Sequence, residues 1–265
     1  MSTWVIQTNL LDQLQIDEMK DAILKAGGIV VGATVIPFSD GVGLSAEIIG
    51  TDVIPYGSTK LTHLGVSRKW SGVYFNDDFC TTAWNLNRTD MLNQNGKEMT
   101  VRQLISFADE NYDIERESDV QLFIRPVNDL KEFNGTVTTV REIRMWMSSV
   151  DSGNFSFSED TMVALSAPVE LIAEQRWFIV DGKVIDGSQY RQQGYHVLTH
   201  IPEEQWPELY GRMQKLADVW LPCTTCVMDL AILEDHSVKV IEFNCINSSG
   251  FYKHDVQKIV NALNK

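Results

Sequence analysis

The residues that most plainly invite chemistry are an aspartate, a glutamate and an asparagine in two apolar runs near the end of the chain, "CVMDLAIL" and "VKVIEFNCINSSGFY". Strand side chains alternate faces, so Glu242 and Asn244 point the same way. "EDHS" between the runs reads as a four-residue turn, which pairs Leu233 with Val238 and sets Asp229 directly opposite Glu242. Opposed residues of an antiparallel pair share a face, with Cβ atoms about 4.5–5.5 Å apart. Like charges so placed are destabilising, and apolar flanks add a desolvation penalty. A divalent cation removes that penalty. Asp229, Glu242 and Asn244 offer oxygen, and hard oxygen ligands select Mg2+ or Mn2+. Mg2+ usually keeps waters and shares its remaining positions with substrate phosphates, so the expectation is a metal–nucleotide site. The bland alternative is a solvent-facing sheet with two scattered acids. A three- or five-residue turn would put Asp229 and Glu242 on opposite faces.

Phosphates also need cations. No G-x-x-x-x-G-K-[ST] occurs, so the chain is not a P-loop protein. Arg125 in "DVQLFIRPV", Lys131 in "LKEFNGTVTTV" and Arg176 in "AEQRWFIV" lie in or beside apolar strands. Arg and Lys in buried strands need an anionic partner. An acid of the chain could serve any one of them; three together with the Asp/Glu/Asn set favour a polyphosphate. Gly41, Gly43 and Ala46 match the dinucleotide pattern G-x-G-x-x-A, but Pro37 separates them from the preceding strand and no clear amphipathic helix follows, which favours a plain loop. Cys223 and Cys226 form a C-x-x-C with no second pair or His-x-x-x-His nearby to complete a zinc set, and free buried thiols are expected of the cysteines.

The elements that must position these residues follow from periodicity. "TWVIQTNL" is a strand, "DEMKDAILKAGG" a helix stopped by Gly27-Gly28, and "IVVGATVIPF" a second buried strand, a β-α-β start. "TVRQLISFADE" is a short helix, and "DVQLFIRPV" and the run after Asn134-Gly135 are strands. "RWFIVDGKVIDG" is a hairpin on a two-residue Asp181-Gly182 type I′ turn, with Glu174 and Arg176 on one face of its first strand. In "PEEQWPELYGRMQKLADVW", Trp206, Leu209, Met213, Leu216 and Trp220 predict a helix with one wide apolar face, Pro202 and two glutamates suiting its first turn. "HDVQKIVNALNK" is a terminal amphipathic helix. "DSGNFSFSED", residues 151 to 160, is a polar, glycine-containing loop and a candidate for mobility.

The 265 residues, 44% hydrophobic and 22% charged, suffice for one large domain or two smaller ones. A net charge of -14 repels phosphate backbones at long range, which disfavours nucleic acid as a partner. No apolar run spans a membrane and the first residues lack a signal-peptide pattern, so a cytoplasmic location is expected.

"VMDLAILEDHSVKVIEFNCINSSGFY" resembles the metal-binding end of the ATP-grasp superfamily, and "APVELIAEQRWFIVDGKVIDGSQY" resembles its adenine hinge and the glutamate-bearing strand after it. In "LFIRPVNDLKEFNG" an arginine followed six residues later by lysine departs from the commoner two-lysine pattern and resembles a divergent arginine–lysine clade of the superfamily, which includes phage proteins and the eukaryotic assembly factor for translation initiation factor 2. "VIPYGS" resembles an upstream segment, so the likeness runs from about residue 50 to 255.

The resemblance implies an α/β (α+β) ATP-grasp fold: an N-terminal α/β domain over 1–85, a first lobe over 86–168 and a second over 169–265, with ATP between the lobes. It implies Asp229, Glu242 and Asn244 as Mg2+ ligands, Arg125 and Lys131 on the ATP phosphates, and Ala167 to Leu171 (with Val169, Glu170 and Leu171) as the adenine hinge. Glu174 would contact ribose or hinge, Arg176 the phosphates or an acyl phosphate, with Arg176 and Lys131 as catalytic candidates; Ser248, Ser249 and Gly250 would lie where substrate meets the γ-phosphate. The expected activity is ADP-forming ligation of a carboxylate, on a small molecule, peptide or protein, to an amine, with the run from 148 to 160 as the candidate lid that keeps water from the acyl phosphate. The alternatives are an ATP-bound assembly factor with little turnover and an ATP-dependent nucleic-acid ligase or modifier. A phage origin would place the protein in the host cytoplasm.

Overall fold

The computed structural model describes residues 2–10, 13–36, 41–113, 116–117, 119–128, 133–143, 145 and 158–264. In chain order its elements are β1 (Thr3–Gln7), α1 (Gln13–Lys25), β2 (Ile29–Val35), β3 (Val42–Leu44), β4 (Val53–Tyr56), α2 (Thr59–Ser67), α3 (Thr81–Asn87), β5 (Lys97–Thr100), α4 (Val101–Asn111), β6 (Gln121–Pro126), β7 (Thr136–Thr139) and β8 (Met162–Ser166). They continue with β9 (Ala173–Val180), β10 (Lys183–Gln192), β11 (Tyr195–Ile201), α5 (Pro207–Ala217), β12 (Cys226–Ile232), β13 (Val238–Asn244), a 3-10 turn (Ile246–Ser248) and α6 (Val256–Leu263). The chain divides into two compact units, one made of Met1–Phe79 with Leu171–Lys265, the other of Cys80–Glu170.

In the first unit, β1 pairs in parallel with both β2 and β4, and β3 adds antiparallel to β2, giving the order β3-β2-β1-β4. The β-α-β start is as the periodicity predicts: Ile16, Met19, Ala22 and Ile23 are the buried stripe of α1, and Gly27 ends it at φ 76°, a left-handed conformation that glycine adopts without a Cβ clash. Gly41 precedes the short edge strand β3, Gly43 lies within it and Ala46 follows it, and no helix opens at Ala46, so the segment is not a dinucleotide loop.

The second sheet of this unit is antiparallel, in the order β11-β10-β9-β12-β13. β9 lies at its centre, and all eight of its residues are buried. Asp181 and Gly182, at φ 52° and 76°, form the type I′ turn that the Asp-Gly pair predicts. One face of the sheet packs Phe178, Val180 and Val227 into a common core with Trp4, Ile6, Ile23, Ile246, Ile259 and Val260. On the other, Trp177 meets Tyr210 of α5 edge-on at 5.1 Å. A Cβ on Gly187 would lie 2.5 Å from the Trp177 ring, so that position requires glycine.

α5 begins at Pro207 rather than near Pro202, and its buried residues are Tyr210, Met213 and Ala217. Trp206 is the N-cap and is 55% exposed, because the chain turns at 202–206 before the helix starts. Of the apolar stripe read from Trp206 only Met213 is buried, and Leu209, Leu216 and Trp220 are half-buried beside it.

The second unit is a four-stranded antiparallel sheet, β5-β8-β6-β7, packed on α4 through Met99, Leu104, Ala108, Leu122, Ile124 and Val163. Thr100 caps α4: its hydroxyl accepts the Gln103 N–H while the Gln103 side chain accepts the Thr100 N–H. Lys131 and residues 148–157 of the candidate lid lie outside the described residues.

Candidate functional site

Three strands place three ionisable residues in one row. Arg176 on β9 pairs with Asp229 on β12, and Asp229 with Glu242 on β13. The opposition of Asp229 and Glu242 is as expected, but the route to it differs. The loop between β12 and β13 holds three residues, Glu234, Asp235 and His236: Leu233 N–H donates to the Ser237 carbonyl at 3.0 Å, and His236 N–H to the Leu233 carbonyl at 2.9 Å. His236 takes φ 62°, as the last residue of such loops usually does. That loop closes Ile232 on Val238, a register that by itself would set Asp229 against Ile241. A β-bulge at Ile241 restores the pairing, since Leu230 faces Val240 while Asp229 faces Glu242.

Asp229 is 2% exposed. The Arg176 guanidinium grips both of its oxygens, with Nε donating at 2.9 Å and Nη2 at 2.7 Å, while Nη1 donates to the Gly250 carbonyl at 3.2 Å. The Asn244 amide donates to Asp229 at 3.2 Å and to Glu242 at 2.9 Å. The like-charge penalty expected of the opposed acids is thus offset in part by a buried, bidentate ion pair. Burial pushes the Asp229 carboxyl up, Arg176 opposes this through charge and hydrogen bonding, and Glu242 and Glu174 add to the rise. Burial also works against the charge on Arg176, but Asp229 more than restores it and holds the guanidinium above its ordinary value.

One step along the sheet, Glu174 is engaged through both oxygens, accepting from the Tyr190 hydroxyl at 2.9 Å and from Arg191 Nη1 at 2.9 Å. Burial, then Asp229 and Glu174, push the Tyr190 phenol up, so it remains a donor. Tyr190 stacks on Tyr252 at 5.2 Å, and the Arg176 guanidinium lies over the Tyr252 ring at 4.6 Å. Tyr190, Arg191 and Tyr252 lie outside the residues to which the sequence points. The available signal was "SQYRQ" on the partner strand of the Glu174 hairpin, where period two, broken by a bulge, hid the shared face.

The other expected residues fall as follows. Ser249 is structural, its hydroxyl donating to the Cys245 carbonyl and its own carbonyl accepting from Tyr56 at 2.6 Å. Ser248 is half-buried in the 3-10 turn, and Gly250 serves the row through its carbonyl. Val169 and Glu170 are exposed and Leu171 half-buried, and the division between the two units falls between Glu170 and Leu171. In the second unit, Arg125 on β6 lies over the ring of buried Trp84 at 5.1 Å. None of the four cysteines is in a disulfide; Cys226 and Cys245 are buried as expected, whereas Cys80 and Cys223 are only half-buried.

No group of three His, Cys, Asp or Glu side chains able to hold a metal occurs among the described residues. Asp229, Glu242 and Asn244 nonetheless fit a hard cation that takes part of its shell from a ligand, since each carries oxygen and a carboxylate has lone pairs beyond those Arg176 uses. The Asn244 amide would present its oxygen by a half-turn, because it now points N–H groups at the acids.

The model of the ATP-grasp domain, family 2 of the arginine–lysine clade, matches residues 99–262, more than half of the chain and every residue of this row. The chain belongs to that family. Its fold is similar to that of the ATP-grasp ligase PsnB complexed with a minimal precursor, at 11% identity over 99% of this chain and 98% of that one, with a TM-score of 0.55. It is similar also to D-alanyl-alanine synthetase A from Vibrio cholerae O1 biovar eltor, at 11% identity over 100% and 99% with a TM-score of 0.58, and to the D-cycloserine synthetase DcsG, at 11% over 99% and 99% with a TM-score of 0.55. No curated protein matches the chain in sequence. The α+β ATP-grasp fold expected from the resemblance is therefore the fold of this chain. Among the described residues, no helix is long and apolar enough to cross a membrane.

Proposed function

We propose that this ATP-grasp protein is an Mg-ATP-dependent ligase that joins a carboxylate to an amine, with a peptide as the acceptor class. The observation that carries the reading is the row of Arg176, Asp229 and Glu242 with Asn244 beside it, in a chain of this family. Mg2+ held by Asp229, Glu242 and Asn244 would supply charge neutralisation at the β- and γ-phosphates. The nucleotide assignment also draws on PsnB, described with Mg and ADP and with precursor peptide PsnA2 and AMPPNP; the peptide acceptor is carried over from the same protein.

In this reading Arg176, Arg125 and Lys131 stabilise phosphate oxygens, and Val169, Glu170, Leu171 and Glu174 serve the nucleoside. A carboxylate oxygen of the substrate attacks the γ-phosphorus, the bond to the bridging oxygen breaks, and ADP leaves. The amine nitrogen then attacks the acyl carbon, phosphate departs, and the amine proton passes to solvent. A second reading, an ATP-bound partner factor with little turnover, is favoured by the grip of Arg176 on both oxygens of Asp229, which must be shared before Asp229 can serve a metal.

The test is stabilisation by a non-hydrolysable ATP analogue with Mg2+, followed by product analysis with ATP. At about 100 times its dissociation constant a ligand stabilises by about 2.7 kcal/mol, and Glu242→Gln should abolish the Mg2+-dependent part. Glu242 is chosen because it is half-buried, whereas changing Asp229 would strand Arg176. ADP, phosphate and a joined product by mass spectrometry support the ligase; binding without turnover across a peptide screen supports the second reading. A folded wild type that ignores ATP, ADP and GTP sinks both.

A further inference from the structure

Between α1, the end of β11 and the start of α6 lies a cavity of about 600 Å³ that the nucleotide reading leaves unused. Its charged and titratable walls include Glu18, Asp21 and Lys25 of α1, His200 of β11, and Lys253 and Asp255 ahead of α6. The sheet locates it. His200, Ser188, Arg176, Asp229 and Glu242 oppose one another in turn across the five strands. The loop from 250 to 255 crosses that row. Gly250 and Tyr252 meet Arg176, and His254 meets the Ser188 hydroxyl and the Arg176 carbonyl. The cavity lies at the His200 end of the row, and the metal-ligand candidates lie at the other.

The walls are pinned from behind. Asp186 is 1% exposed and accepts from His200 Nε2 at 3.0 Å, from the Tyr210 hydroxyl at 3.2 Å and from the Asp255 N–H at 2.8 Å. Two of those donors belong to cavity residues, so a satisfied buried carboxylate fixes both. With the Nε2 proton on Asp186, a neutral His200 keeps Nδ1 as an acceptor. Gln257 donates to the Ala22 carbonyl at 3.0 Å, which ties α6 to α1 within the lining.

Charges elsewhere on the same two helices are paired: Lys20 with Asp17 at 3.9 Å, and Lys258 with Glu203 at 3.1 Å. The side chains of Glu18, Asp21, Lys25 and Lys253 have no partner among the described residues. Water suits any one of them alone. Four unpaired charges and a pinned imidazole around one cavity suit a ligand of matching charge. Glu18, Asp21 and Lys25 recur at i, i+3 and i+7 on one side of α1, so the acids and the lysine spread over roughly 10 Å. With Asp255 and Lys253 the lining offers three carboxylates and two ammonium groups. Its complement carries one carboxylate and two cations, with one cation held away from the carboxylate by a chain.

We propose that this cavity binds a free cationic amino acid of the lysine type. Its α-carboxylate lies at Lys25 and Lys253, its α-ammonium at Asp255 and His200, and its side-chain ammonium at Glu18 and Asp21. The site is separate from the row of Arg176, Asp229 and Glu242, and it does not rest on the nucleotide reading.

The experiment is calorimetric titration of L-lysine, L-norleucine and cadaverine into the wild type, the double variant Glu18→Gln with Asp21→Asn, and Lys25→Gln. Norleucine lacks the side-chain ammonium and cadaverine lacks the carboxylate, so each should bind the wild type about tenfold more weakly than lysine. The double variant should weaken lysine and cadaverine about tenfold and leave norleucine unchanged. Lys25→Gln should weaken lysine and norleucine about threefold and leave cadaverine unchanged. All three substitutions stand at exposed positions of a helix, where folding is retained. No saturable binding of lysine by the wild type overturns the proposal. So does lysine binding that ignores the variants, which would place it at another site, or a loss that is equal for all three ligands.

Discussion

His254 shows how one buried side chain can tie stability to pH. Its Nε2 faces the Arg176 carbonyl at 3.1 Å, and its Nδ1 faces the Phe251 carbonyl and the Ser188 hydroxyl. Burial, opposed by those carbonyls and by Asp186, pulls its pKa from 6.5 down to about 4. Between those values the unfolded chain binds the proton and the folded chain does not. The contribution is therefore present above about pH 6.5 and is lost as pH falls toward about 4, reaching at most about 3 kcal/mol. Urea unfolding of the wild type and His254→Gln across that window should show a steeper acid loss in the wild type. Equal slopes would mean that His254 is not held neutral. The contribution of Asp229 runs the other way, since a raised carboxyl favours the folded state as pH falls, and both proteins share it.

At the scale of elements, two one-residue bulges assemble the site. Alternation along β13 and β10 would have sent one member of each functional pair to the wrong face, and the bulges at Ile241 and Tyr190 correct this. The short loop that makes the first bulge necessary puts His236, an exposed residue without glycine's freedom, at φ 62°. His236→Gly should relieve that conformation and stabilise the fold by roughly 0.5–1 kcal/mol, without altering nucleotide binding. A thermal melt alongside an AMP titration checks both halves. A lower melting temperature would mean that the loop is not the three-residue form.

At the scale of the molecule, the first unit is made of two stretches 91 residues apart in sequence, and Asn247 joins them. Its amide donates to the Pro55 and Gly72 carbonyls at 2.8 Å each and accepts the Tyr74 N–H at 2.8 Å, while its own carbonyl accepts the Gly57 N–H. Tyr56 adds a bond to the Ser249 carbonyl, and its ring stacks on Phe251 at 5.0 Å. The parallel sheet thereby fixes the segment that follows the carboxylate row. Asn247→Ala leaves three backbone groups buried without that partner and should cost about 2–4 kcal/mol. The expected readout is a lower urea midpoint at unchanged slope; a midpoint within error of wild type would show that water replaces the amide.

Several features needed only local sequence. The β-α-β start, the Asp181-Gly182 hairpin, the Thr100 helix start and the strand pair carrying Asp229 and Glu242 rest on period and turn chemistry, which neighbouring residues set. So does the family, whose motifs are runs of adjacent residues. What the chain's own order did not disclose was who partners whom across strands. Arg176 grips Asp229 across strands, and a bulge that leaves no mark in composition brings Tyr190 and Arg191 to Glu174. The start of α5 at Pro207 is hidden in the sequence because the turn at 202–206 carries the same helix-favouring residues as the helix itself. Periodicity fixes the face of a residue only while pairing is regular. Bulges, buried ion pairs and the joining of distant segments are decided when strands far apart in sequence settle against one another, and the tertiary structure alone contains that information.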